Sequence, residues 1–503
     1  MNAADTTTNA TYDVRQPVGR HTSSMARYLC PYFLCMLLLA YLQHTLAAPA
    51  ASPSNSHNNN NNNNNNKLLV LLFDGLRWDY VADDDRSLPG FATVFKNGVK
   101  ADHLRPVFPT LCYPNLYSLA TGLYPESHGM IGNYMYDSVE DEHFKAKSTK
   151  SFWWNGAEPI WITAKKQGKR SGWYYWPGCE VKIHGYTPDL CKPYYYYPSK
   201  KDVSSAVLDA VTRLRDDSLD IAGVYSEVLD VTGHRHASDS SQMRTALSDV
   251  DSIVILAVAE IKKHGLQNSV NLMIVSDHGT TPVSLSRVIN LRELVKESQV
   301  DRMLDGGPYV NIWPAQNQLK QVYTILKYSK EPMTVYLKED LPERWHYKNS
   351  ARVAPITVVA DPGWYIISHH KGFPMYTSNR YPAAAVHGYD NQHPDMWGMF
   401  AATGPDFKRG LKVGGVSIVD VYALMCRSVG LAPAHNNATW SNVAQLIDDD
   451  DENHSISSAV ADPKYDVVKA TSVAASSPDS TRFRSVVLMT VFSVLAAVAG
   501  RLV

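Results

Sequence analysis

The residues of this chain whose types and spacing could do chemistry are aspartates and histidines that follow short apolar runs. The runs cover residues 67–73, 221–225 and 270–275, and the polar residues behind them are Asp74, Asp230, His234, Asp277 and His278. One such aspartate would ordinarily be a helix cap, but three copies favour a shared site. Because ligands bind beyond the carboxyl ends of parallel strands, these side chains should meet at one edge of a sheet. Carboxylates mixed with imidazoles favour zinc over magnesium, which prefers oxygen ligands and water.

His387, in the segment HGYDN, is a further candidate ligand because the three strand ends supply only some of the ligands that two metal ions need. Asp230 and His234 are four residues apart, a spacing that puts both on one face of a helical turn. Two zinc ions about 4 Å apart suit in-line displacement at phosphorus, in which one activates a nucleophile and the other stabilises the leaving oxygen. The sequence therefore predicts two Zn2+ ions and chemistry at a phosphoryl group.

The nucleophile of such a site should lie at a helix N-terminus, where free amides and the helix dipole favour an anion. The segment 108–115 enters a predicted helix and contains two candidates, Thr110 and Cys112. Composition alone does not choose between the hydroxyl and the thiol.

The elements that must position these residues alternate between strands and helices. Strands are predicted at 68–73, 221–225 and 271–275, and helices at 90–97, 115–121, 159–166, 203–214 and 243–264. This alternation predicts an α/β fold with a mostly parallel central sheet and helices on both faces. Short β-type runs between Glu331 and Lys371 predict a small β-rich insertion.

Both ends of the chain have the composition of targeting segments. An apolar run at 28–42 precedes small residues near Ala48, and Met25 is an alternative start. Small residues at 472–477 and an apolar end predict a GPI-anchor signal, with a tail anchor as the alternative. We therefore expect a GPI-anchored protein on the extracellular face of the plasma membrane. The predicted organisation is a signal peptide region at 1–50, an Asn-rich spacer at 51–66, a catalytic domain at 67–447, a linker at 448–480 and a GPI tail at 481–503.

Secretion permits disulfides and glycosylation. Of the six cysteines, Cys30 and Cys35 lie in the predicted signal region. Cys179 and Cys191 bracket a short loop that contains Pro and Gly, and we expect them to pair. Asn437 and Asn453 begin N-glycosylation sequons. The formal net charge is -1, so no nucleic acid partner is implied.

Several motifs, in this order, resemble the ectonucleotide pyrophosphatase/phosphodiesterase family of the alkaline phosphatase superfamily. They are FDGLRWDY, FPTLCYPN, TGLYPESHG, IGNYMYD, DVTGH, VSDHG and HGYDN, between about Lys67 and Leu446. The resemblance implies an alkaline-phosphatase-like fold and a zinc-dependent phosphodiesterase. WWNGAEPIW, YYWPGCEVKIHG and the GPI-type tail are similar to a choline-specific member. That similarity implies release of phosphocholine from glycerophosphocholine, lysophosphatidylcholine and sphingosylphosphorylcholine.

The resemblance also implies roles for individual residues. One zinc would be held by Asp74, Asp277 and His278 together with the nucleophile, and the other by Asp230, His234 and His387. Asn133 would help to hold a non-bridging phosphate oxygen. The nucleophile, Thr in most members and Ser in the choline-specific one, falls on Cys112. A zinc-bound thiolate is a weak nucleophile, so slow turnover, attack by zinc-bound water or no turnover are the alternatives.

Substrate choice has its own physical argument, because a trimethylammonium group is recognised by aromatic faces and a carboxylate. Tyr113, Trp176 and Tyr225 lie in or beside the site motifs, and Glu180 could supply the negative charge. We therefore predict a choline phosphodiesterase that uses these four residues. A nucleotide pyrophosphatase, which needs a base-stacking slot, is one alternative. A catalytically silent choline-lipid binding surface protein is the other, because Cys112 replaces the usual hydroxyl.

Overall fold

The structure is a computed structural model that describes residues 66–82, 87–195, 197–368 and 384–448. The predicted signal region, nearly all of the Asn-rich spacer, the GPI tail and Asn453 lie outside the described residues. Within those residues, no helix is both long enough and apolar enough to cross a membrane.

Two sheets organise the described part of the chain. Their strands are Lys67–Phe73 (β1), Gly98–Ala101 (β2), Ser171–Tyr174 (β3), Leu190–Lys192 (β4), Ile221–Ser226 (β5), Val270–Val275 (β6), Val300–Leu304 (β7), Tyr309–Pro314 (β8), Met333–Leu337 (β9), Ile356–Ala360 (β10), Phe400–Thr403 (β11) and Leu411–Val413 (β12). The longer helices are Pro89–Asn97 (α1), Cys112–Thr121 (α2), Ile160–Lys166 (α3), Lys200–Arg215 (α4), Val228–His236 (α5), Ser241–Lys263 (α6), Leu319–Lys327 (α7) and Ile418–Ser428 (α8).

Shorter elements join these. Two-stranded ladders pair Leu104–Arg105 with Val416–Ser417, Met135–Asp137 with Glu142–Phe144, Thr281–Pro282 with Ala385–Val386, and Val288–Asn290 with Tyr365–Ile367. Short helices cover Pro125–His128, Leu291–Leu294 and Trp440–Val443.

The central sheet has eight strands within the described residues, in the order β12-β2-β11-β6-β1-β5-β3-β4. β1 pairs in parallel with both β5 and β6. β11 runs antiparallel to β6 and β2, which makes the sheet mixed. The predicted α/β fold and mainly parallel sheet are confirmed, with one antiparallel strand that the short run at 400–403 did not reveal.

The centre of the sheet is fully covered. Every residue of β1 after Lys67 is buried, as is every residue of β5 and β6. Strands enclosed on both faces read as continuous apolar runs, since neither face meets water. Helices therefore cover both faces, and the polar residues at the strand ends are held by a rigid, close-packed core.

The insertion is a second sheet with the order β7-β8-β10-β9, all antiparallel, and its own apolar cluster. The predicted insertion began at Glu331, but two of these strands precede that residue. The sequence VDRML of β7 contains two adjacent charged residues, which interrupt the apolar pattern that would have predicted a strand. The insertion is thus larger than predicted, and we refer to residues 300–360 as the insertion sheet.

Candidate functional site

The carboxyl ends of β1, β5 and β6 meet at one edge of the central sheet. Asp74 follows β1 directly, and the backbone N–H of Asp230, in the first turn of α5, donates to the Asp74 carbonyl at 3.1 Å. Gly75 permits this approach, because its φ is +73° and a Cβ there would lie 2.9 Å from the Asp230 Cα. The three strand ends are therefore packed against one another as the sequence predicted.

The first cluster consists of Asp74, Cys112, Asp277 and His278, whose ligand atoms all lie within 4.8 Å of one another. The His278 Nε2 is 3.3 Å from the Asp74 Oδ1 and 3.3 Å from the Asp277 Oδ2. The Cys112 Sγ lies 3.5 Å from the same nitrogen. A single ion could therefore bind one ligand atom from each of the four residues.

The second cluster consists of Asp230, His234 and His387, again within 4.8 Å of one another. The Asp230 Oδ1 lies 3.2 Å from the His234 Nε2 and 3.3 Å from the His387 Nε2. The rings of His278 and His387 stack with centroids 3.6 Å apart, so the two clusters adjoin. The structure thus brings together all seven residues that the sequence predicted as metal ligands.

All three imidazoles use their Nδ1 atom to contact a backbone carbonyl. The Nδ1 atoms of His234, His278 and His387 lie 2.8, 2.9 and 2.9 Å from the backbone carbonyls of Ala385, Gly279 and Thr110. A carbonyl only accepts hydrogen bonds, so each Nδ1 carries a proton, and in the neutral ring each Nε2 keeps its lone pair. This backbone support is typical of histidines that bind metals.

The electrostatics of the first cluster fit a divalent cation. The Asp74 Oδ1 and the Asp277 Oδ2 are buried and have no hydrogen-bond partner among the described residues. Burial and the neighbouring carboxylates raise the pKa of Asp74 well above its usual range. Burial and Asp230 raise the pKa of Asp277 to about 8. A cation bound between these oxygens would remove the cost of burying two adjacent carboxylates.

Asp230 in the second cluster has the opposite balance. Burial opposes its ionisation, but the charges of His234 and His387 and the hydrogen bond from His234 lower its pKa below the usual range. The pKa of His234 is raised despite burial, because Asp230 favours the imidazolium. The second cluster is therefore partly neutralised by its own imidazoles.

The position of Cys112 separates it from the alternative nucleophile, Thr110. The helix was predicted from Asn115, but α2 begins at Cys112, because Pro114 is tolerated in a first helical turn. The Thr110 hydroxyl is buried, donates to the Tyr389 carbonyl at 3.0 Å and accepts from the Gly388 N–H at 2.9 Å. Thr110 thus secures the loop of His387, whereas Cys112 belongs to the first cluster.

The thiol of Cys112 lies in a strongly negative environment. Burial, reinforced by Asp74 and Asp277, raises its pKa well above the usual value for cysteine. Cations bound by those same carboxylates would reduce the charge that opposes the thiolate.

Asn133 contacts both the side chain of Cys112 and the backbone of the next residue in α2. Its Nδ2 donates to the Cys112 Sγ at 3.8 Å, and its Oδ1 accepts from the Tyr113 backbone N–H at 3.1 Å. That N–H is in the first turn of α2, where backbone donors lack helical partners. The side-chain amide of Asn133 is therefore fixed in orientation, with its donor directed at the Cys112 sulfur.

The residues predicted for a choline pocket lie in different surroundings. The hydroxyl of Tyr225 donates to the Asp74 Oδ2, and the Tyr113 hydroxyl accepts from the Lys147 N–H at 2.9 Å. Trp176 is 1% exposed and makes an edge contact with Trp173, so it is a core residue.

Glu180 is half-buried, and burial raises the pKa of its carboxyl. Within the described residues, no hydrogen bond, ion pair or ring contact links Trp176 or Glu180 to either cluster. Of the four residues predicted for choline, Trp176 lies in the core, and the roles of Tyr113, Tyr225 and Glu180 stay predictions.

Sequence reasoning missed a group beside the first cluster. The Tyr194 hydroxyl donates to the Glu227 Oε2 at 2.6 Å, and its ring makes an edge contact with Tyr225. The Lys147 ammonium lies 5.1 Å from the centre of the Tyr194 ring. The run of tyrosines at 194–197 was a visible signal, but nothing in it indicated which ring would face the site.

Two predictions concern the remaining cysteines and glycosylation. Cys179 and Cys191 form the predicted disulfide, with their Cα atoms 5.7 Å apart. Among the described residues, Cys112 and Cys426 are free, and Cys426 is buried in α8. Asn437 is exposed, as a glycosylation site requires.

With this geometry, the chain has the alkaline-phosphatase-like α/β fold, with candidate metal ligands at the strand ends. Comparison with known proteins defines its family. The family model for type I phosphodiesterase / nucleotide pyrophosphatase matches residues 68–390. The chain therefore belongs to the type I phosphodiesterase / nucleotide pyrophosphatase family, as its motifs predicted.

Individual relatives lie within the same family. Bis(5'-adenosyl)-triphosphatase enpp4 of Mus musculus is 38% identical over 386 residues, which cover 76% of this chain and 81% of that protein. Ectonucleotide pyrophosphatase/phosphodiesterase family member 5 of Homo sapiens is 35% identical over 382 residues, which cover 75% of this chain and 77% of that protein.

A solved structure gives the same result. It is murine ectonucleotide pyrophosphatase/phosphodiesterase 5, as an inactive threonine-to-alanine variant in complex with AMP. It matches with a TM-score of 0.71 and 36% identity, covering 76% of this chain and 100% of that one. These relatives support the nucleotide alternative better than the predicted choline specificity.

Proposed function

We propose that this protein hydrolyses nucleotide phosphodiester and pyrophosphate bonds at the two clusters, each of which binds a zinc ion. The observation that carries the proposal is the convergence of both clusters on Cys112, the first residue of α2. The names of the relatives support a nucleotide substrate, and the complex of murine family member 5 with AMP supports a nucleoside monophosphate as a product. When bound, the zinc ions would supply Lewis-acid stabilisation of the attacking and leaving groups.

The residues of the chain itself would bind and orient the phosphoryl group. The N-terminus of α2 presents the positive end of its dipole to an anion, while its Tyr113 N–H is bonded to Asn133 and Pro114 has no N–H. Asn133 would donate its Nδ2 hydrogen to a non-bridging oxygen, since its Oδ1 is already occupied by the Tyr113 N–H. Charge that develops on that oxygen in the transition state would strengthen this hydrogen bond.

Cys112 would be the nucleophile in the course we propose. After the thiol proton passes to solvent, the sulfur forms a bond to phosphorus, and the bond between phosphorus and the leaving oxygen breaks with its electron pair. Water then attacks phosphorus and releases a proton to solvent, and the sulfur departs as the thiolate. Because sulfur is a weak nucleophile when coordinated, we expect this chemistry to be slower than with a hydroxyl at the same position.

The surroundings of Tyr194 favour a nucleotide over a choline ester. The base of a nucleotide stacks on flat aromatic faces, and the phosphates of the nucleotide would be attracted by the Lys147 ammonium. A trimethylammonium group would instead compete with that ammonium, which already faces the Tyr194 ring at 5.1 Å. Both oxygens of the Glu227 carboxylate already accept hydrogen bonds, from the Tyr194 hydroxyl and the Tyr197 N–H. The Lys147 ammonium thus already occupies the face of Tyr194 that a trimethylammonium group would use.

The test compares substrates and cysteine variants in zinc-loaded protein. Bis(5'-adenosyl) triphosphate and glycerophosphocholine are offered to the native protein, to Cys112→Ser and Cys112→Thr, and to Cys426→Ser as a cysteine control away from the site. We expect AMP release by the native protein, faster release by Cys112→Thr, no change in Cys426→Ser and loss of activity on chelation.

The two alternatives predict other outcomes. Preferential release of phosphocholine would establish choline phosphodiesters as the substrate class. Zinc binding without turnover of either compound, in the native protein and both Cys112 variants, would identify a ligand-binding surface protein.

We further propose that the protein reaches the extracellular face of the plasma membrane with a GPI anchor. The support is the sequence at 1–50 and 481–503. Expression on cells should give protein that a phosphatidylinositol-specific phospholipase releases, and truncation of 481–503 should give secreted protein. Retention after phospholipase treatment would favour the tail anchor.

A further inference from the structure

The insertion sheet contacts the segment that carries Asn133, here called the Asn133 loop (residues 129–137). Asp305, in the turn between β7 and β8, is 4% exposed and has a φ of +62°, a conformation that costs free energy for any residue except glycine. The backbone of Tyr134 lies close enough to the Asp305 carboxylate to oppose the rise that burial causes in the pKa of that group. A Cβ at Gly132 would lie 2.5 Å from the Asp305 Oδ2, so the carboxylate packs directly against the residue before Asn133.

Tyr309 in β8 makes a second contact with the same loop. Its hydroxyl donates to the Ile131 carbonyl at 3.4 Å and is bonded to the Tyr347 hydroxyl at 2.8 Å. The ring of Tyr309 also makes an edge contact with Phe108, which stacks on Trp345 with centroids 3.7 Å apart. Phe108 begins the segment that leads to Cys112. Aromatic residues of the insertion sheet therefore contact both the Asn133 loop and the segment that carries Cys112.

Arg352 holds the two ends of the loop together. Its guanidinium donates to the Gly129 carbonyl at 2.8 Å and to the Asp137 carboxylate at 2.9 Å. The arginine lies in the connection between β9 and β10, and hence also belongs to the insertion sheet. Three separate contacts therefore fix this loop from outside the central sheet.

We infer that the insertion sheet positions Asn133 against Cys112, with Asp305 as the principal positioning residue. The geometry favours this role because Asp305 combines a strained backbone, burial and an Oδ2 atom that has no hydrogen-bond partner among the described residues. Each feature costs stability, and such costs are commonly retained at functional sites. The inference rests on the proposed function only for the part that Asn133 plays in holding phosphate.

The first test measures amide hydrogen exchange, which needs no turnover. The reporter is the Tyr113 N–H, whose partner is the Asn133 Oδ1 and which Asp305 does not touch. In Asp305→Ala we expect faster exchange in 131–136 and also in 111–116, as in the reference variant Asn133→Ala. Asp305→Asn keeps a side-chain oxygen near the Tyr134 backbone and tolerates positive φ, so it should restore protection.

The matched control is Asp340→Asn, an exposed carboxylate in the connection between β9 and β10 of the same sheet, which should leave both segments unchanged. If Asp305→Ala fails to fold, Tyr309→Phe removes the hydroxyl contact with Ile131 and should raise exchange in the same two segments. Faster exchange confined to 131–136, with 111–116 unaffected, would overturn the inference and leave Asp305 as a local structural residue.

The second test measures kcat and KM for a nucleotide substrate in a double-mutant cycle. Displacement of a donor by about 1 Å can cost up to roughly 100-fold in rate, so Asp305→Ala should lower kcat by 10- to 100-fold with little change in KM. In the Asn133→Ala background the same substitution should have almost no effect. Equal losses in both backgrounds would contradict action through Asn133. A native protein without turnover would refute the proposed function, while the exchange experiment would still decide this inference.

Discussion

The two clusters differ in how far each compensates its own charge. In the first cluster, Asp74 and Asp277 face each other with one buried oxygen each that has no partner among the described residues, beside a thiol and an imidazole that burial keeps neutral. In the second cluster, the single carboxylate of Asp230 lies between two imidazoles at 3.2 and 3.3 Å. The first cluster thus needs a cation to balance the charge of its carboxylates, whereas in the second cluster the imidazoles already balance part of that charge.

This difference teaches how one sheet edge can hold two candidate metal sites of unequal charge balance. The first cluster takes three buried residues from just after β1 and β6, and its fourth, Cys112, from the start of α2. The second combines a helix, α5, with His387 from a loop. We therefore expect the first cluster to bind a cation more tightly and to depend on it more strongly for stability.

The largest expected effect is the order in which the ions leave. One additional unit charge at about 4 Å is worth up to about 4 kcal/mol at an effective dielectric constant of 20, before desolvation is counted. We expect the second cluster to lose its ion at a chelator concentration at least tenfold lower. Cobalt-substituted protein can report this, because a sulfur-to-cobalt absorption band belongs to Cys112 and hence to the first cluster.

The control for that titration is Cys112→Ser, which should bind cobalt without the charge-transfer band. Loss of the band before, or together with, the rest of the cobalt spectrum would show that the clusters are not unequal in the expected sense.

The next effect concerns the metal-free protein. Asp277→Asn removes an acidic group whose ionisation burial opposes, and should raise the free energy of unfolding of chelated protein by about 1–3 kcal/mol. Asp230→Asn should lower it, because two imidazoles lose their partner. Chemical denaturation with chelator present measures both changes, and stabilisation by both substitutions would remove the distinction between the clusters.

The same comparison predicts a dependence on pH. The pKa of Asp277 in the folded metal-free protein is raised to about 8, from 3.8 for the ordinary group. Its contribution to stability is therefore fully present below about pH 4 and is lost as pH rises to about 8. Chelated native protein should be less stable at pH 8 than at pH 5, and Asp277→Asn should reduce that difference.

The sequence predicted which residues would cluster as candidate metal ligands because their positions follow from local rules. Asp74, Asp277 and His278 come directly after buried apolar strands, and parallel strands bring such ends together whatever the rest of the chain does. The family motifs added Asn133 and decided between Thr110 and Cys112. Both rules act over short stretches, which a sequence displays directly.

The parts that sequence reasoning missed depend on contacts between distant segments. Trp176 stands two residues after β3 in a site-like motif, yet its ring lies in the core against Trp173. Lys147 faces Tyr194 only because two loops meet. The insertion sheet was cut short because β7 has charged residues, and its contact with Asn133 follows from tertiary packing alone.

A smaller effect tests the loop side of the second cluster. Thr110→Val removes a donor to Tyr389 and an acceptor for Gly388, so the loop that carries His387 loses both side-chain hydrogen bonds from Thr110. Loss of such indirect support typically costs 10- to 100-fold in metal affinity, and we expect about tenfold at the second cluster alone. Thr93→Val, at an exposed helix threonine, is the matched control. An equal loss at both clusters would mean that Thr110 acts on the whole site.

The smallest effect separates support of a metal ligand from recognition of a substrate. Tyr225→Phe keeps the aromatic ring but removes the hydroxyl that donates to the Asp74 Oδ2. If Tyr225 serves the first cluster, the affinity of that cluster for its cation should fall several-fold, while KM at saturating metal stays unchanged. Tyr194→Phe, which removes a hydroxyl bonded to Glu227, should leave metal affinity intact. Unchanged metal affinity in Tyr225→Phe, together with a raised KM for a choline ester, would return Tyr225 to the predicted choline pocket, because the hydroxyl would then act on the substrate and not on Asp74.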